Sequence, residues 1–146
     1  MKKIIATCLT LIATSVMAAD ADLSYVRDHN SDKDGVRLTL TGDPLVLGVS
    51  PVASVTHVGD AYTRYAVGGS LNLGQVGPFT FNAVGTGVFQ DTKAAVNGWG
   101  GTAGLNIGYS FSKNTSLNAG IEHLWAQDKI SGSEGNLVTV GVKMKL

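Results

Sequence analysis

Cysteine is all but missing from the chain. The single one, Cys8, falls inside an N-terminal apolar stretch, which excludes a disulfide framework or thiolate metal site in the rest. Charge is scarce too: Asp, Glu, Lys and Arg make up 15% of the residues, against about 25% in an ordinary soluble domain. Neither sign dominates, with eleven acidic residues and eleven basic ones, two of the latter being Lys2 and Lys3 at the start. Without a basic field, nucleic acid is not an expected partner. Beyond residue 20 no apolar run approaches the ~20 residues of a membrane-spanning helix. Proline occurs three times, at 44, 51 and 78. The excess is in glycine, with 19 residues, the first of them Gly35.

The first 18 residues, MKKIIATCLTLIATSVMA, give two lysines, a mostly apolar run, and the small residues Val16 and Ala18 where a signal peptidase reads. They are expected to be a cleaved signal for Sec-type export. As an anchor, the apolar stretch 4–19 is short for a span of ~20 residues. The remaining residues, 19–146, are enough for one domain and not for two.

Alternation of apolar with small or polar residues then runs the length of the chain. In 98–112, Trp99, Ala103, Leu105, Ile107, Tyr109 and Phe111 alternate with Thr102, Gly104, Asn106, Gly108 and Ser110. In 115–127, Leu117, Ile121 and Trp125 alternate with Ser116, Asn118 and Glu122. Segments 136–146, 78–90, 61–73, 35–41 and 20–29 repeat the rhythm. Segment 45–58 is the weakest, because Val46, Val52 and Val58 blur its second face and Pro51 interrupts it as a bulge or a strand break. Short connections are expected at 42–44, 74–77 and 112–115, and mostly longer, more charged ones at 29–34, 59–60, 91–97 and 128–135. The fold predicted is all-β, an eight-stranded antiparallel up-and-down barrel with both termini on the short-turn side.

A soluble barrel would turn the apolar face inward and a transmembrane one outward to lipid. Three features predict lipid. Several segments reach 11–15 residues, whereas strands usually run about 5–6 and a tilted transmembrane strand needs about 9–11. The polar face is Gly, Ser, Thr and Asn, small enough for a narrow eight-stranded interior. Aromatics fall at two levels: Phe79, Tyr109 and Phe111 toward the short turns, and Tyr65, Phe89, Trp99 and Trp125, with Tyr25, toward the long loops. Two aromatic girdles are expected.

With this leader and eight alternating segments, the chain resembles the small Gram-negative outer-membrane barrels, the OmpA transmembrane domain and OmpX among them. "GGSLNLGQVGPF" and "GWGGTAGLNIGY" are also similar to small barrels of the YfaZ kind. The resemblance implies a porin-type barrel of the cell outer membrane. It also implies lipid and lipopolysaccharide as surroundings, insertion by the barrel-assembly machinery, and a monomer. Members commonly end in Phe; this chain ends in Met144, Lys145 and Leu146.

On the assigned parity the interior receives Asp22, Asp28, Arg37, Arg64, Glu122, Lys143 and Lys145. Charges in a narrow lumen must pair or be solvated. Arg37, Arg64, Glu122 and Lys143 are the expected lumen charge network, either a plug that stiffens the barrel or a gated polar pathway. Arg27, Lys33, Lys93 and Lys129, near the loops, are expected contacts to lipopolysaccharide phosphates, or else solvated rim charge. His29, His57 and His123 show no metal-ligand spacing, and neither metal nor cofactor is expected. Lipid A deacylase resemblance fails at one point, since Trp125 stands two residues after His123 where a Ser would be needed. Asp28, His29 and Ser31 are the other acyl-transfer candidates, in a loop rich in such residues. No catalytic residue is expected. The function expected is a structural or surface-interaction role in the cell envelope, the alternatives being a narrow pore or a lipid A-modifying enzyme.

Overall fold

The computed structural model describes residues 18–92, 97–127, 130 and 134–146. They form eight strands: β1 (Ala18–Asp28), β2 (Lys33–Gly42), β3 (Val49–Val58), β4 (Tyr62–Val76), β5 (Phe79–Thr92), β6 (Gly98–Ser110), β7 (Thr115–Ala126) and β8 (Gly135–Lys145). Each pairs antiparallel with its neighbour in the chain, and β1 pairs with β8 from Asp20↔Lys145 to Asp28↔Leu137. The sheet therefore closes into the predicted up-and-down barrel and leaves no free edge.

Because successive side chains in a strand point to opposite faces, the alternation sorts residues into an outside and an inside. Leu105 and Ile121 point outward, 55% and 50% exposed, while Thr102 and Glu122 point inward and are buried. The inside is narrow. A Cβ on the inward-facing Gly68 would lie 2.0 Å from the Gly85 carbonyl oxygen, and one on Gly104 would lie 2.3 Å from that of Ile121. Backbone cannot yield as a side chain can. On the outward-facing Gly85, by contrast, a Cβ would meet nothing closer than 3.9 Å. Gly68→Ala is accordingly expected to destabilise the barrel by about 1–3 kcal/mol through overpacking. Gly85→Ala should be neutral or stabilise by about 0.4–1 kcal/mol, through the restricted unfolded chain. Urea unfolding in vesicles, followed by tryptophan fluorescence, measures both; equal losses would contradict this facing.

Segment 45–58 divides differently from the expectation. β3 begins only at Val49, and a short 3-10 turn, Val46–Gly48, precedes it, with Leu47 and Gly48 at φ 65° and 74°. Leu45 and Leu47 are therefore exposed in the six-residue connection 43–48, outside the strand. Pro51 makes neither a bulge nor a break: it stands in an uninterrupted register opposite Gly69. The reason is directional. The Val49 carbonyl accepts from the Leu45 N–H on the β2 side, so by the two-residue period Pro51 also turns its backbone toward β2. There pairing stops at Val52↔Thr41, and no ladder bond is lost.

The bulge in this part of the barrel lies elsewhere. Between Asn72↔Asn82 and Gly74↔Phe81 the register shifts, leaving Leu73 as the extra residue. Gly74 takes φ 143°, and its N–H donates to Asn72 Oδ1 at 2.8 Å. The slip places Val76 opposite Phe79 at the end of the hairpin. The 77–78 turn is thus shorter than the 74–77 expected, and β6 stops at Ser110, which leaves Phe111 in the 111–114 connection. Connection lengths at the two ends overlap: 43–48 on the terminus side is longer than 59–61 on the other.

Candidate functional site in the barrel lumen

The inward residues change character along the axis. Toward the end opposite the termini they are Val26, Val58, Tyr62, Val88, Leu124 and Leu137, each at most 2% exposed. Toward the terminus end they are hydroxyls and amides, among them Thr39, Ser54, Ser70, Asn82 and Asn106, which line a cavity of about 450 Å³. The cavity runs from its mouth at the termini to Arg37 and Glu122. Half the lumen is packed shut and half is an open polar well.

At the junction, Arg37 Nη1 lies 2.5 Å from Glu122 Oε1, with both side chains under a tenth exposed. Arg37 Nε donates to Thr56 Oγ1 at 2.9 Å, which fixes the guanidinium against β3. Above it, Arg64 donates through Nε and Nη2 to Gln90 Oε1 at 3.1 and 2.9 Å. Its guanidinium carbon sits 4.7 Å from the centre of the Tyr62 ring. The Tyr62 hydroxyl in turn donates to Asp28 Oδ2 at 2.6 Å. Arg64 Nη1 and Ser31 Oγ are buried without a hydrogen-bond partner among the described residues.

Of the four residues expected to form one charge network, the structure brings Arg37 and Glu122 into contact, and Arg64 takes Gln90 and Tyr62 instead. Lys143 belongs to the mouth of the well, where its Nζ lies 2.6 Å from Asp20 Oδ2 and ties β8 to β1. Asp22, also in the well, accepts from Asn118 Nδ2 at 2.5 Å and from the Ser24 hydroxyl. Lys145 lines the same cavity. Gln90 and Thr56 were not foreseen as the partners of the interior arginines. Each stands directly opposite its arginine in the ladder, Arg64↔Gln90 and Arg37↔Thr56, so an assumed register would have found them. The Arg37–Glu122 contact joins strands three apart around the closure, which no local spacing reveals.

The aromatics occupy two levels on the outer surface. Phe79 packs against Tyr109 at 5.2 Å near the 77–78 turn, with Phe111 exposed beyond it. At the other level Phe89 packs against Trp99 at 4.9 Å and pairs with Tyr65 in the ladder, and Trp125 is exposed nearby on β7. His123 stacks edgewise on Trp125 at 4.7 Å, and its Nδ1 lies 2.8 Å from Asn136 Oδ1. His57 Nδ1 lies 3.0 Å from Thr63 Oγ1.

At the rim, Arg27 is held by Asp34 at 2.8 Å and by Asp32, and the Tyr25 hydroxyl donates to the same Asp34 carboxylate. Lys33 is exposed at the start of β2. Lys93 and Lys129 lie outside the described residues. Asp28 spends its carboxylate on the 29–32 turn, accepting the N–H groups of Asn30 and Ser31 at 2.9 and 3.3 Å besides the Tyr62 hydroxyl. It is therefore engaged in holding the loop and the Tyr62 hydroxyl. Among the described residues no group of three or more His, Cys, Asp and Glu could hold a metal ion.

Comparison with protein-family models, with curated proteins and with solved structures gives no match for this chain.

Proposed function

We propose that this chain is a small outer-membrane barrel protein of a Gram-negative envelope, with a structural or surface-interaction role and no catalytic step. On this reading residues 1–18 direct Sec-type export, the barrel-assembly machinery inserts the mature chain, and it stands as a monomer among lipid and lipopolysaccharide. One observation carries the proposal: large apolar side chains point outward around the closed wall, among them Leu23, Leu38, Leu71, Leu105, Ile121 and Val140, while the interior holds the ion pairs, hydroxyls and amides beside one packed apolar half. In water that arrangement would expose a continuous apolar surface far beyond what soluble monomers carry. In a bilayer it is the required one, and closure satisfies every strand edge.

Surface contact would run through Arg27 and Lys33 at the rim, although Arg27 already has two carboxylate partners; Lys93 and Lys129, the other two cations of this reading, lie outside the described residues. A narrow pore is favoured by one observation, the well that reaches the Arg37–Glu122 pair. The packed half beyond that pair argues for a closed wall, so discrete conductance in planar bilayers is not expected.

Membrane fractionation combined with gel migration before and after boiling tests the proposal. The chain should appear in the outer-membrane fraction and migrate anomalously until heated. Recovery as a soluble periplasmic protein would overturn it.

A further inference from the structure

We propose that the polar half of the lumen is a binding well for a small, uncharged, hydroxyl-rich solute that enters at the terminus end. The cavity, about 450 Å³, lies within the ~300–1,000 Å³ range of small-molecule sites. Its floor is the buried Arg37–Glu122 pair, so the well is blind and a solute enters and leaves by one mouth.

The class of ligand follows from the lining. Four acidic and four basic side chains line the cavity, so it carries no net charge to select an ion. Arg37 is matched by Glu122 and Lys143 by Asp20. Asp22 is met by Asn118 and Ser24. The other three, Asp43, Lys113 and Lys145, stand at the mouth, in the terminus-end connections and at the last residue of β8, so what remains unspent along the wall of the well is neutral hydrogen-bonding capacity. Asn82 and Asn106 stand side by side in the β5–β6 ladder, facing the well, and neither side chain has a hydrogen-bond partner among the described residues. The same holds for the Ser54 and Ser70 hydroxyls. Amides and hydroxyls that both donate and accept suit a ligand that does both.

The opposite half of the lumen shows how this chain fills space when packing is all that is required, with Val26, Val88, Leu124 and Leu137 fully or almost fully buried. A well built from Ser, Thr and Asn forgoes that burial. Interiors otherwise pack to near-crystalline density.

The test uses the barrel purified in a detergent without a sugar headgroup, with trehalose as the probe and glutamate and inorganic phosphate as charged comparisons. Saturable shifts in the side-chain amide resonances of Asn82 and Asn106 on adding trehalose are expected, with weaker or no response to the charged solutes. Asn106→Leu should weaken trehalose binding by about tenfold or more, as when a hydrogen-bonding group is replaced by an apolar one. Ser54→Leu, on the facing wall, should do the same if the first variant fails to fold. Lack of saturation with trehalose, preference for a charged solute, or unchanged affinity in a folded Leu variant would overturn the proposal. Heat-modifiable migration is read on the same samples, so a failure of solute binding is distinct from a failure of the envelope assignment.

Discussion

Leu105→Arg is expected to lower the unfolding free energy in vesicles by about 2–4 kcal/mol, the cost of an arginine at the bilayer midplane on the lipid face of a barrel. Leu105 lies midway along β6, more than half exposed, with Ala83 and Ile121 as its outward neighbours in the ladder. In a bilayer it would sit among acyl chains far from either headgroup layer. Asn106, the next residue, points into the well, and Asn106→Ser should cost little because it exchanges one small polar group for another in contact with water. Urea unfolding of the two variants in the same vesicles gives the difference directly. Equal effects would mean that adjacent residues share one environment, which this barrel does not allow.

The second large effect concerns the ion pair. Glu122→Ala removes the carboxylate that meets Arg37 at 2.5 Å and leaves a cation that is less than a tenth exposed beside a second buried arginine, Arg64. Breaking a buried pair from one side typically costs about 3–5 kcal/mol, because the surviving charge stays desolvated. Removing both charges is a different matter. Arg37→Met combined with Glu122→Leu should recover most of that loss, since a hydrophobic pair of similar volume is often neutral or stabilising. A double-mutant cycle on unfolding free energies separates the cases. If the single and double variants lose the same amount, the two groups do not act as a unit.

The fold was legible because the two-residue period of strands is long and regular here, with large apolar residues on one face of each strand and mostly small or polar ones on the other. Strands β4 to β8 carry the signal over ten residues or more each. Where the signal thinned, the expectation slipped. Val46, Leu47 and Val49 read as strand by composition, yet Leu47 and Gly48 take positive φ and turn the chain before β3 begins. Pro51 looked like a defect because a missing N–H matters only if a partner waits for it, and its direction cannot be read from composition. Leu73 looked regular and is the bulge, fixed by Gly74 and the Asn72 side chain.

The lumen was legible in content more than in pairing. Parity placed Arg37, Arg64, Glu122 and Lys143 inside, and all four do face the interior. Which of them meet depends on closure and on depth. Arg37 reaches Glu122 across the lumen, Arg64 finds its opposite number Gln90, and Lys143 stays at the mouth with Asp20. The division of the interior into a packed half and a polar well is written in the inward residues. Val26, Leu124 and Leu137 lie at one end of their strands, with Asp22, Asn118 and Lys143 at the other. It becomes visible only once the strands are in register.

Spin labels at Leu105, Ile121 and Asn82, on the barrel in lipid vesicles, test the central claim most directly. Relaxation by oxygen, which concentrates in hydrocarbon, should dominate at Leu105 and Ile121. A water-soluble nickel chelate should reach Asn82 in the well but neither of the other two. Labels at Leu105 and Ile121 that meet the nickel reagent, or a purified chain that stays folded and dissolved with no detergent, would contradict the account.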